Sequence, residues 1–185
     1  VKTAKTILIL LLLVSVAAAA RRRDPLTDAE ADQLREVAQQ PYKRLKLLVK
    51  FTDARLDAVD EARKDPAQAQ GRGRKIHDLL EDFTALLDEI NDNLDQYEGR
   101  PMTKDDRKDF HKGLKDVLAA CDAWDAKLRA LKSATETDPQ TRRESEDYRF
   151  VLQDASDSLK STADMAREDS EIQVQGDDKS DKKKK

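Results

Sequence analysis

The chain has one cysteine, two histidines, one tryptophan, five glycines and five prolines in 185 residues, and aromatics make up only 4%. Each shortage excludes something. Cys121 alone cannot close an internal disulfide, so an oxidising compartment leaves it buried or bridged to another molecule. There is no glycine-rich phosphate loop, no HExxH and no Ser/His/Asp set, so a nucleophilic mechanism has no parts to assemble. The Cys-x-x-Cys-His attachment of a c-type haem is missing. The first helices hold no methionine and the last no histidine, which removes the ligand pair of the b-type bundle cytochromes. The scarcity of glycine, proline and aromatic residues also argues against β and α/β architectures.

Charge is plentiful, at 39% of residues, with 35 basic against 38 acidic and a net charge of −3. Residues 1–20 have the pattern of a secretory signal peptide. Lys2 and Lys5 form a basic start, Ile7 to Val16 an apolar centre, and Ala17 to Ala20 a run of small residues suited to cleavage. The apolar run is short for a bilayer span, and no cysteine follows it to carry a lipoprotein anchor. Removing these residues leaves a mildly acidic protein, which counts against nucleic acid as a partner. Residues 21–26 read as a linker.

The organising stretch is Ile76 to Tyr97. Its apolar residues Ile76, Leu80, Phe83, Leu87, Ile90, Leu94 and Tyr97 alternate steps of four and three, which lines them up on one helical stripe suited to left-handed packing against a similar helix. The same rhythm recurs in Leu45, Leu48, Thr52, Leu56 and Val59, and again from Phe110 through Leu114, Val117, Cys121, Trp124 and Leu128 to Leu131. A thinner version follows in Tyr148, Leu152, Ala155, Leu159, Thr162 and Ala166. Breaks separate these runs at Pro41, at Asp65-Pro66 with the following AQAQGRGR, at Gly99 to Pro101, and across a polar connection from Ser133 to Asp138.

The fold class expected is therefore all-α: an antiparallel up-down four-helix bundle over 27–170, with a kinked or broken first helix. Its helices are placed at about 28–39, 42–64, 74–98, 104–132 and 139–169, and residues 171–185 form a disordered charged tail. Leu34, Val37 and Ala38 overhang the level where the other helices end.

Charge suggests how the helices pair. Residues 76–98 carry eight acids and no lysine or arginine. Folding back near residue 68 sets Lys43, Arg44, Lys46 and Lys50 beside Asp88 to Asp95, with Asp60 and Glu61 beside Arg74 and Lys75. A second fold near residue 100 brings Lys104, Arg107, Lys108 and Lys112 to the same acidic end. This levelling puts Trp124, Tyr148, Val59 and His77 in one layer. It holds His77 and His111 about 20 Å apart, each with at most one acid in helical reach, short of a metal ligand set. No catalytic, cofactor-binding or metal residue is assigned, and no cofactor is expected.

Leu26-Thr27-Asp28-Ala29-Glu30 and Met102-Thr103-Lys104-Asp105-Asp106 resemble the Leu-Thr-x-x-Gln signatures of small periplasmic helical chaperones of the Spy and CpxP type, both without the glutamine. Any capped helix start shows similar letters. The functional expectation is a non-enzymatic protein, periplasmic or secreted after cleavage, that serves as a structural or protein-interaction module of the cell envelope. A protein partner or self-association is expected, no nucleic acid, and a weak contact of Lys179 and Lys182 to Lys185 with anionic membrane or wall polymers. The alternatives are a binder of unfolded proteins, following the resemblance, and a small-ligand or metal carrier.

Overall fold

A computed structural model describes residues 24–65, 69–97 and 102–182, with side chains described as far as residue 171. The expected signal peptide, the first residues of the linker and the Gly99–Pro101 break lie outside the described residues. Among those described, the chain is entirely helical and packed: α1 Asp28–Glu36, α2 Pro41–Lys64, α3 Arg72–Asp95, α4 Lys104–Thr137, α5 Pro139–Glu144, a 3-10 turn Ser145–Asp147, and α6 Arg149–Lys182. No helix among them is long and apolar enough to cross a membrane.

The heptad stripes form the core. Every stripe residue named above from α2, α4 and α6 is buried, as are those of α3 from Ile76 to Leu94. Phe51, Ala62, Leu86 and Ala163 are buried beside them. These extra positions widen the stripes of α2, α3 and α6, because a helix in a bundle has two neighbours to cover, whereas a two-stranded seam has one.

The helix ends are set locally. Thr27 caps α1 in a reciprocal box: its hydroxyl accepts from the Glu30 amide at 3.3 Å, and Glu30 Oε2 accepts from the Thr27 amide at 2.8 Å. Thr103 caps α4 through the Asp106 amide. The two Leu/Met-Thr motifs thus serve as helix starts. Pro41 occupies the first position of α2, where its missing N–H would have been unpaired in any case.

Three boundaries differ from expectation. The polar connection 133–138 is helical to Thr137, because Thr135 and Thr137 turn their hydroxyls back onto the Lys132 and Ser133 carbonyls and leave the backbone ladder intact. Arg142 then donates to the free carbonyls of Thr135 and Glu136, so Asp138 alone links α4 to α5. The last expected helix is split at 145–148, where the 3-10 turn rests against Gly73. Finally, α6 continues to Lys182 where a disordered tail was expected from 171. Extending an established helix adds one hydrogen bond per residue, which carries it past Gly176 and three aspartates that are themselves poor helix formers. The linker also differs: Asp24 Oδ1 accepts from the Leu26 amide and the Pro25 carbonyl accepts from Arg55, so its described part is held in place.

The main packing faces are α2 on α3, α2 on α4, α3 on α6 and α4 on α6. Arg44 meets Glu89 at 3.2 Å and Arg55 lies 4.0 Å from Asp82, so α2 and α3 run antiparallel. Tyr42 bonds Asp116, and Asp53 and Asp57 bond Lys127, so α2 and α4 run parallel. α3 and α4 face each other across the core, where the Phe83 and Trp124 rings meet edge to face at 5.8 Å.

The charge-based pairing is seen at Arg44–Glu89 and fails at several other positions. Asp60 pairs with Arg63 and Arg74 with Asp78, each within its own helix, and Lys112 lies over the Tyr42 ring of α2. Exposed ion pairs contribute at most about 1 kcal/mol, too little to override the packing of the apolar stripes.

Candidate functional site

The start of α6 presents the feature most suited to recognition. Tyr148 is buried at the seam, and a helical step of about 100° per residue swings a side chain two positions on to the opposite face. Phe150 accordingly stands in solvent at 71% exposure, the one exposed large hydrophobic among the described residues. The Arg149 guanidinium lies 4.6 Å from its ring centroid and also pairs with Glu146 at 3.6 Å. An aromatic ring beside an arginine offers an apolar anchor, a cation–π face and a set of N–H donors on one patch. The alternation of buried and exposed aromatics in Tyr148-Arg149-Phe150 is visible in the sequence, and only the thinness of the stripe there obscured it.

A shallow cleft of about 250 Å³ opens between α4 and α6, lined by Cys121, Asp122, Asp125, Ser156, Leu159, Lys160, Ala163 and Arg167. Two acids and two bases on its walls give it no dominant sign. Cys121 is buried there, and burial, reinforced by Asp122 and opposed by Arg167, pushes its thiol up to about 11. Such a thiol is inert as a nucleophile at neutral pH.

The surroundings of His77 do not match expectation. His77 Nδ1 lies 3.2 Å from Asp78 Oδ1 and 3.7 Å from Glu81 Oε2. Two acids are therefore in reach of one imidazole, a correction to the reading of one at most, and the spacing i, i+1, i+4 could have shown it. These three could supply a borderline divalent cation such as zinc with three ligands. Arg74, however, holds the same Asp78 oxygen at 3.2 Å, and the Glu81 side chain is exposed.

The aromatic layer joining Trp124 and Tyr148 does not form. Trp124 packs on Phe83 and donates to Asp53 Oδ1 at 3.2 Å. Tyr148 instead sits where α6 begins, near Arg63 and Glu144, and burial pushes its hydroxyl up to about 12. The longer α4 and the inserted α5 turn shift α6 along the molecule relative to the simple hairpin used for levelling.

Two nearly buried arginines hold the ends. Arg72 donates to the Asp65 carbonyl at 2.8 Å and to Glu144 at 3.2 Å, tying α2, α3 and α5 together. Arg55 forks onto both oxygens of Glu30, at 3.0 and 2.6 Å, and onto the Pro25 carbonyl at 2.6 Å. Burial alone would raise the Glu30 carboxyl, but the Arg55 fork and the Thr27 amide together hold it below the usual range. Leu34, expected to overhang, is buried by this docking of α1. The fork was not legible in the sequence, since Arg55 lies 25 residues from Glu30.

Comparison with family models, curated proteins and solved structures finds no match to this chain.

Proposed function

We propose that the chain is an exported, non-enzymatic four-helix bundle, its long helices running alternately up and down, that works by binding protein in the cell envelope. The observation that carries the binding reading is Phe150, an aromatic anchor left in solvent with Arg149 over its ring. Elsewhere the heptad positions are committed to the core, so this patch can be altered without loosening the fold. The export reading rests on Lys2, Lys5, the apolar run and the small residues before Arg21.

Native mass spectrometry of the protein purified from its own envelope tests both. The expected species begins near residue 21 and carries a second protein chain, either a partner or another copy. Phe150→Ser should lose that chain while melting within about 2 °C of the parent, since exposed substitutions rarely shift stability by more than about 0.5 kcal/mol. A parent protein that is strictly monomeric and carries no other protein would overturn the binding reading. A mass that retains residues 1–20 would overturn cleavage.

A further inference from the structure

α1 is attached to the rest of the molecule at few points. Leu34 is its only buried side chain, and Glu30 is the acid that receives the Arg55 fork. Its principal packing is against α2. The residues that follow, Ala38, Gln39 and Gln40, are exposed. α2 then starts on Pro41, which has no N–H to lose, so α1 can move without unravelling the helix behind it.

A buried arginine normally resists this kind of opening, because removing its partner strands a charge out of water. Here the arginine has a second carboxylate. Asp82 Oδ2 on α3 lies 4.0 Å from Arg55 Nε, and the Arg55, Glu30 and Asp82 side chains are only 12%, 14% and 11% exposed. Two acids therefore share one cation through different nitrogens, and the one that departs with α1 is Glu30, which carries its Thr27 amide bond away with it.

We infer that α1 is a strap that opens as a unit about residues 37–40, with Arg55 passing from Glu30 to Asp82 and the seat of Leu34 uncovered. The opening is local. The α2, α3, α4 and α6 stripes stay packed, so the strap moves on the folded body of the protein.

Hydrogen exchange of the full-length chain, followed by mass spectrometry, tests this. Peptides spanning 28–36 should exchange at least about a hundredfold faster than those of α3, through an opening insensitive to low denaturant. Glu30→Gln should speed exchange in α1 by about tenfold, the scale of a lost charge-assisted bond, and leave α3 unchanged. Asp82→Asn should do the reverse, slowing exchange in α1, because it removes the carboxylate that keeps Arg55 paired in the open state. Arg55→Lys keeps the charge but loses the fork, and should free α1 with α3 unchanged; Asp82→Ser, which also removes the carboxylate, serves in place of Asp82→Asn if that variant fails to fold. Exchange of α1 at the rate and denaturant dependence of α3 would overturn the strap. An Asp82→Asn variant whose α1 exchanges faster or unchanged would overturn the transfer of Arg55 between partners.

Discussion

A methyl group added at Gly73 would fall 2.3 Å from Asp147 Oδ2 and 2.7 Å from the Glu144 carbonyl oxygen. The side chain can swing away but the backbone carbonyl cannot, so the 3-10 turn must shift. Gly73→Ala is therefore expected to destabilise by about 1–3 kcal/mol, an overpacking effect larger than the gain of up to about 1 kcal/mol from better helix propensity. Urea unfolding of the variant measures the net. Tyr148 makes a second test at this scale. Its hydroxyl is buried and has no hydrogen-bond partner among the described residues. Tyr148 and Cys121 both have raised folded values, about 12 and about 11. For such groups the unfolded chain ionises first as pH rises, so the folded state holds more protons and stability falls. Their contribution is intact below about pH 8.5, the ordinary value for cysteine, and is lost progressively as pH rises toward 12. Urea midpoints at pH 8, 9.5 and 11 should decline in that order. Tyr148→Phe should be neutral or up to about 1 kcal/mol more stable at pH 8, since a buried hydroxyl without a partner is a penalty, and should flatten the top of the decline.

At the scale of an element, α5 and its 3-10 turn have only Ser145 buried among them, so little apolar burial holds them. Arg72 does, by bridging the Asp65 carbonyl and Glu144 with a side chain only 9% exposed. Arg72→Ala leaves the Glu144 carboxylate, itself 17% exposed, without that partner, and should lower stability by about 2–3 kcal/mol in urea unfolding. Arg72→Lys should recover only part of that loss, because one ammonium cannot span both acceptors as the planar fork does. The position was not legible beforehand: in AQAQGRGR the arginines look alike, yet Arg72 turns inward and Arg74 outward. The stripes, by contrast, were legible residue by residue, because burial of a heptad position depends only on which face it occupies. Gln39 and Gln40 show the limit of that reading. They are polar like many helical residues, and nothing in them tells that α1 stops at Glu36 rather than continuing to residue 39 as expected.

For the molecule as a whole, the arrangement of helices is the property most open to test. Lys127 lies 2.8 Å from Asp53 and 2.7 Å from Asp57. A zero-length carbodiimide reaction on the monomer should therefore couple Lys127 to one of these, joining α4 to α2 in parallel alignment. Coupling of Lys112 to the acids at 88–95 of α3 would show the neighbour relation expected from charge instead, and would overturn the packing described.

The amino-acid sequence by itself determined that the chain is helical, which faces are apolar, and where prolines and threonine caps start α1, α2, α4 and α5. Those are local matters, governed by side-chain periodicity and by the hydrogen bonds that neighbouring residues offer a helix end. Only the tertiary structure decided that α4 lies beside α2 and across from α3, that Gly73 yields space to a turn far along the chain at Ser145–Asp147, and that Arg55 binds Glu30 with Asp82 close by. Such choices depend on distances between segments remote in the chain, where exposed charges are screened by water and the shapes of packed side chains settle which surfaces meet.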